Sequence, residues 1–326
     1  MNIVNYILTI LRKFYLHYNP KSESLDCSER GIVDASKVSE VITKLILSDK
    51  PCMIARFGSN ELDAICNYIS IDKKDYIAHT PYNYITGKCS EWWWNKTYFK
   101  RMFCQAGLFP CNKETIKNFS TIMLEDTKLL DVLGSWRSKE NQISQYFPTN
   151  IIKVDREKLN PFFADVPWTL ALRGKQVLVI HPFAESIKKQ YEQKDKLFNR
   201  KILPSFKLHL LKAVQSVSGT NNFKDWFDAL EYMKKEMDKI NYEIVLIGCG
   251  AYGLPLAAHA KRMGKKAIHI GGSLQLFFGI KGKRWESEGY KNSQNDYSTL
   301  FNDHWIRPSA EETPRTAKDV ENSCYW

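Results

Sequence analysis

Four short apolar runs in this 326-residue chain each end in glycine or a polar turn, and this repeated pattern narrows the possible folds more than any other feature. The runs are 51–58 (PCMIARFG), 176–180 ahead of His181-Pro182, 242–250 (YEIVLIGCG) and 265–272 (KKAIHIGG). Runs of this length and composition read as buried strands. Segments with helical periodicity lie between them, at 36–48, 59–69, 90–106, 113–133, 184–200, 222–240 and 254–264. Ser59 is a plausible N-cap with Glu61 in the first turn, and Gly264 is a helix stop. Helices alternating with apolar β-runs predict an α/β fold, a Rossmann-like and mostly parallel sheet with helices on both faces. Ligands of such sheets sit at the carboxyl ends of the strands. Arg56-Phe57-Gly58, His181-Pro182, Gly248-Cys249-Gly250 and Gly271-Gly272-Ser273 are therefore expected along one edge, sharing one site.

Charge narrows the partners. Lys and Arg number 47 against 36 Asp and Glu, a net charge of +11 that favours anionic partners. The surplus is spread along the chain with no dense basic tract, which argues against nucleic acid and leaves phosphorylated small molecules or an acidic membrane. None of the eight Cys forms a C-x-x-C pair, so a zinc site has no support. The first residues lack a basic n-region and a cleavage site, so a cytoplasmic protein is expected. Their apolar run is too short to span a bilayer. Ile3, Ile7, Ile10, Leu11 and Phe14 recur at helical spacing beside Arg12, Lys13 and His17. Two readings stand: an amphipathic helix lying on an anionic membrane at the inner face of the plasma membrane, or a helix docked on the protein's own core. The expected division is 1–35 for this helix and a polar linker, 36–310 for the main domain and 311–326 for a tail.

Three motifs carry chemistry. GCGAYG (Gly248, Gly250, Ala251, Tyr252 and Gly253) matches G-x-G-x-x-G between a strand and a helix, where backbone N–H groups can hold a phosphate. A dinucleotide fold would place a carboxylate at the end of the next strand, but that strand ends in His269. The motif thus reads as a diphosphate cradle, with an NAD(P)-dependent oxidoreductase and a purely structural turn as alternatives. In ARFGSNEL a strand delivers Arg56 to Gly58, and Ser59, Asn60 and Glu61 open a helix. Arg suits a phosphate, and Glu61 can bind a metal, accept a sugar hydroxyl or act as a base; a structural Arg56–Glu61 pair is the plainer reading. In GGSLQLFFGIKGKRW, Gly271, Gly272 and Ser273 precede Lys281, Lys283 and Arg284, a basic turn that can close over a leaving diphosphate, with Trp285 placed to stack on a base or sugar. His181 is a candidate base or hydrogen-bond donor. Trp92, Trp93 and Trp94 with Tyr82 and Tyr84 form either an acceptor platform or core, and Trp305 and Arg307 are candidates to fold back over the site. There is no G-x-S-x-G elbow and no P-loop.

Arg56 through Glu61 resembles the R-F-G-D-G-E signature of the GT-D-fold glycosyltransferases. Residues 244–272 resemble that family's second characteristic region, and SLQLFFGIKGKRW with the ending WIRP…CYW resembles relatives encoded in bacterial polysaccharide loci. The likeness spans roughly 36–310. It implies a nucleotide-sugar donor, a glycan or lipid-linked glycan acceptor, and Mn²⁺ or Mg²⁺ held at a D-x-E motif. Ser59 stands at the Asp position and Asn60 at the Gly position, so only Glu61 remains as a metal ligand. Without a metal, the resemblance leaves Arg56, Lys281, Lys283 and Arg284 to neutralise the diphosphate. Non-catalytic nucleotide-sugar binding is the remaining alternative.

Overall fold

The computed structural model of the protein describes residues 3–19, 29–72, 80–219, 222–291, 295–320 and 323–326. Cys27 and residues 20–28 of the expected linker lie outside the described residues. The strands are β1 (Cys52–Ala55), β2 (Val132–Ser135), β3 (Ile152–Asp155), β4 (Gln176–His181), β5 (Lys207–Lys212), β6 (Ile244–Ile247) and β7 (Lys266–His269). They form one sheet in the order β3-β2-β1-β7-β6-β4-β5. Every neighbouring pair is parallel. The four runs read as strands from the sequence are β1, β7, β6 and β4, which lie side by side in the middle. The other three strands lie at the two ends of the order.

Helices α1 (Ile3–Tyr18), α2 (Ala35–Leu47), α3 (Ser59–Asp72), α4 (Pro81–Ile85) and α5 (Lys96–Cys104) precede β2 with α6 (Lys113–Thr127). Helices α7 (Ala184–Glu192), α8 (Trp226–Asp238) and α9 (Gly253–Arg262) follow. Several are shorter than their periodicity predicts: α5 begins after the Trp92–Trp94 run, α6 ends before β2, α7 ends at Glu192, and α8 covers only the middle of the expected 222–240.

Side chains alternate between two cores, as the two-residue period of a strand requires. Met53, Leu133, Leu178, Val245 and Ala267 face a core built with α3, α6, α8 and α9. Ile54, Val132, Val177, Leu246 and Ile268 face a second core with α2, α7 and the 3₁₀ turns that carry Phe162 and Trp168. On α2, Val38, Ile42 and Ile46 recur every four residues and are all buried, while Asp34 caps the helix by accepting from the Lys37 N–H at 2.8 Å. The connections toward β3, and those stepping back from β5 through β6 to β7, run over the first face. The β4-to-β5 connection runs over the second. Right-handed crossovers on opposite faces therefore diverge between the adjacent strands β4 and β6, which makes their carboxyl ends a topological switch point.

Helix α1 packs at the margin, where Leu8, Tyr84 and Cys89 make a small separate core with Trp92 and Trp93. Tyr84 is fully buried there, so the aromatic platform expected at 82–94 is largely packing, and Tyr82 alone of its tyrosines stands exposed. Trp305 is likewise core: its indole N–H donates to the Leu197 carbonyl at 2.8 Å, and Arg307 pairs with Glu286.

Candidate active site

A cavity of about 380 Å³ opens at the carboxyl edge of the sheet and takes residues from the segment after every strand. Arg56 and Gly58 through Glu61 follow β1, Trp136 follows β2 and Arg156 follows β3. His181 ends β4, Pro182 and Phe183 follow it, and Val214 through Val217 follow β5. Gly248, Cys249, Gly250 and Tyr252 follow β6, and Gly272, Gln275 and Arg284 follow β7. The tail contributes Val320, Tyr325 and Trp326. The cavity is therefore cationic toward β1–β3 and lined with Phe183, Val214, Val217 and Trp326 toward β4 and β5. A smaller recess of about 50 Å³ adjoins the cationic end and shares Arg56, Arg156 and Arg284 with it.

The glycines explain how these side chains are placed. Gly271 has φ +68°, and a Cβ there would fall 1.8 Å from Arg56 Nη2, so the Arg56 guanidinium lies directly on this glycine. At Gly272 a Cβ would meet the Tyr325 ring at 2.1 Å. The two glycines after β7, expected in the shared site, seat an arginine and a tyrosine that line it. In GCGAYG the three glycines have separate causes. Gly250 adopts φ +58°, a Cβ on Gly248 would press on His181 and on the Gly271 carbonyl, and a Cβ on Gly253 would enter the His269 ring at 2.0 Å. Ala251 and Gly253 do not border the cavity, whereas Gly248, Gly250 and Tyr252 do.

Glu61 is 8% exposed and folds back over the turn that precedes its helix, since a Cβ on Gly58 would lie 2.0 Å from its Oε2. The Asn60 amide donates to Gln105 at 2.9 Å, joining two segments of the wall. His181 is buried and burial lowers its pKa to about 3, so it is neutral at pH 7. Its Nδ1 accepts from the Phe183 N–H at 3.0 Å, which leaves the ring proton on Nε2. A neutral ring with that tautomer donates hydrogen bonds; it does not take up protons. Of the two roles open to His181 in the sequence, the geometry fits the donor. His269 is also buried with its pKa lowered to about 3, by burial first and then by the nearby Arg56, and its Nδ1 lies 3.2 Å from the Ile247 carbonyl.

The cations differ from expectation. Burial lowers the Arg56 pKa and Arg156 and Arg284 push the same way, while Glu61 opposes them. Arg156 lies 4.1 Å over the Trp136 ring and pairs with Glu157. Arg284 lies 4.6 Å over the Tyr325 ring and donates to its hydroxyl at 2.9 Å. Lys281 and Lys283 border neither space. Lys281 reaches over Phe301 at 5.8 Å and Lys283 is exposed. The reason is local: 283–286 is a 3₁₀ turn, which sends neighbouring side chains in different directions, so Arg284 points inward and Lys283 outward. Trp285 is 2% exposed and packs in the second core; it borders the small recess with Ser273 and has no open face for stacking. Arg156 and Trp136 were not singled out by their sequence context, and Tyr325 and Trp326 entered only through the CYW ending of the resemblance.

Asp63 is not a substitute metal ligand: it takes Lys139 at 2.7 Å, Arg137 at 3.4 Å and Arg101 at 3.7 Å. Among the described residues, no three His, Cys, Asp or Glu side chains come together to hold a metal ion. The described residues facing the cavity do not suit Mn²⁺ or Mg²⁺, because they offer a single carboxylate, Glu61, against the guanidiniums of Arg56, Arg156 and Arg284.

In a parallel Rossmann-like sheet, the crevice at the switch point is where α/β folds place their ligands. Residues 168–277, from the turn before β4 through the glycines after β7, match the family model of the GT-D fold-like domain, and the all-parallel sheet fits that fold. A search of curated proteins and a search of solved structures return no match. The matched span contains His181 and Gly248–Gly272 of the site, while Arg56, Glu61, Arg156 and Arg284 lie outside it.

Proposed function

We propose that the protein is a glycosyltransferase that moves a sugar from a nucleotide-sugar donor to a glycan or lipid-linked glycan in bacterial surface polysaccharide synthesis. The observation that carries this is the asymmetry of the cavity: three arginines at one end, with Glu61 on the same segment as Arg56, and apolar and aromatic residues at the other. In this reading the donor's diphosphate lies against Arg56, Arg156 and Arg284. The acceptor oxygen attacks the sugar's anomeric carbon, the bond from that carbon to the phosphate oxygen breaks, and the diphosphate leaves with the electron pair. Glu61 takes the acceptor's proton, and His181 Nε2–H orients a substrate oxygen.

Transfer and donor hydrolysis by Glu61→Gln and Arg56→Ala test this. Turnover is expected to fall by about 10²-fold or more in each, the usual scale for a lost general base or charge stabiliser, with the fold intact by circular dichroism. Near-normal turnover in both variants would remove the site.

The lipid-linked acceptor draws support from α1. Among the described residues no helix is long and apolar enough to cross a membrane. Yet α1 docks by its more polar side, through Leu8 and through Arg12, which donates to the Tyr84 and Cys89 carbonyls at 2.5 and 3.0 Å. Its apolar stripe of Ile3, Val4, Ile7, Leu11, Phe14 and Tyr18 faces outward, each at least 45% exposed. At 100° per residue these six fall within about one-third of the helix circumference. Exposed Lys13 and His17 flank the stripe, a pattern suited to an anionic lipid surface.

A further inference from the structure

We infer that Arg56, Arg156 and Arg284 form a clamp that holds a nucleoside diphosphate without a divalent metal. The nature of the ligand rests on the donor-site reading above; the manner of binding is a separate claim. The three guanidiniums come from three distant segments and border both the main cavity and the adjoining recess. Each is held by its own support. Arg56 crosses Gly271 and donates to the Phe57 carbonyl at 3.2 Å. Arg156 rests on Trp136, whose indole N–H donates to that same Phe57 carbonyl at 3.1 Å, and is paired with Glu157. Arg284 rests on Tyr325, itself seated on Gly272. Planar cations stacked on rings keep their donor edges directed, and a guanidinium edge matches two phosphate oxygens at once.

The carboxylates are arranged differently from a metal site. Among the described residues, Glu61 is the sole carboxylate lining the main cavity, and Glu157 of the recess is engaged by Arg156 and by the Tyr297 hydroxyl at 2.9 Å. Where the resembled signature has Asp, Ser59 offers a neutral oxygen. A divalent cation placed here would meet three like charges and one anionic ligand. A diphosphate placed here would meet three opposite charges, and its departure would need no further cation.

The test is calorimetric binding of pyrophosphate and of UDP, GDP, CDP and dTDP to the full chain, in EDTA and in Mn²⁺ or Mg²⁺, at low and high salt. At least one diphosphate is expected to bind in EDTA with affinity within about twofold of that with metal, and more weakly at high salt. Arg156→Ala and Arg284→Ala are each expected to lose about tenfold or more, the scale of a charge-assisted contact. Arg156→Lys, which keeps the charge and the Glu157 pair, checks that a loss is not misfolding; partial recovery is expected, because an ammonium lacks the fork. Binding that appears only with metal, unchanged affinity in both alanine variants, or no diphosphate binding at all would overturn the clamp. Metal-free binding without transfer from any nucleotide sugar would leave the clamp standing and remove the transferase reading. Transfer that requires Mn²⁺ would do the reverse.

Discussion

At Gly58 and Gly253 an added methyl meets a side chain at the same 2.0 Å, but the two neighbours differ in freedom. At Gly253 the obstacle is the His269 ring, which is buried and held by its contact with the Ile247 carbonyl. Gly253→Ala is therefore expected to cost about 1–3 kcal/mol, the range of overpacked cores, read as a lower urea midpoint. At Gly58 the obstacle is the far end of the flexible Glu61 side chain, which can turn aside. Gly58→Ala should leave the midpoint nearly unchanged but displace the carboxylate, lowering turnover by about 10²-fold, as misplacement of a reacting group by about 1 Å does. Equal loss of stability in the two variants, with turnover intact at Gly58, would contradict this account. The sequence shows glycine at both positions between a strand and a helix, but it does not show which neighbour fills the space. For the same reason Gly271 and Gly272 read from sequence as part of the site, but not as the seats of Arg56 and Tyr325.

Among elements, the central strands were legible and the outer ones were not. β1, β4, β6 and β7 are covered on both faces, so their sequences are unbroken apolar runs. β5 reads KLHLLK with both lysines exposed, as suits an edge, and β3 reads IKVD. β2 reads VLGS and follows a helical pattern closely enough to be absorbed into it. Trp136 and Arg156 follow those unread strands, so no strand end marked them as site residues. Helix α1 was legible as amphipathic, but the direction of its apolar side was not. If that side meets lipid, replacing Ile7 and Phe14 together by Ser should leave thermal stability almost unchanged, since they are 50% and 61% exposed. Co-sedimentation with phosphatidylglycerol vesicles should weaken by about tenfold or more, at ~1.5–3 kcal/mol per apolar side chain that enters the interface. Undiminished vesicle binding would count against lipid, as would a dimer in solution that the double variant dissociates.

For the whole molecule, a single layout joins fold and site: four adjacent strands deliver glycines, Arg56 and two imidazoles to one edge, and burying that edge sets how stability responds to pH. His181 and His269 sit at the ends of β4 and β7 with folded pKa values near 3, lowered by burial, against about 6.5 in the unfolded chain. Between these values the unfolded state binds protons that the folded state does not, so stability rises with pH there. The contribution is fully present above about pH 6.5 and is lost as pH falls toward 3. Each histidine should remove roughly 2 kcal/mol between pH 7 and pH 5. Asp126 and Glu140 work in the opposite sense, because burial raises their pKa and, as pH falls, the folded state takes up their protons before the unfolded state does. Their contribution is common to the wild type and to a His181 variant, so it cancels when the two are compared. Urea midpoints at the two pH values, for the wild type and for His181→Gln, separate the terms. The variant has its own baseline stability, but its loss between pH 7 and pH 5 should be smaller than that of the wild type by roughly 2 kcal/mol. An equal loss in both proteins would mean that His181 takes up its proton in the folded state, and with that the neutral Nε2–H donor assigned to the site would fall.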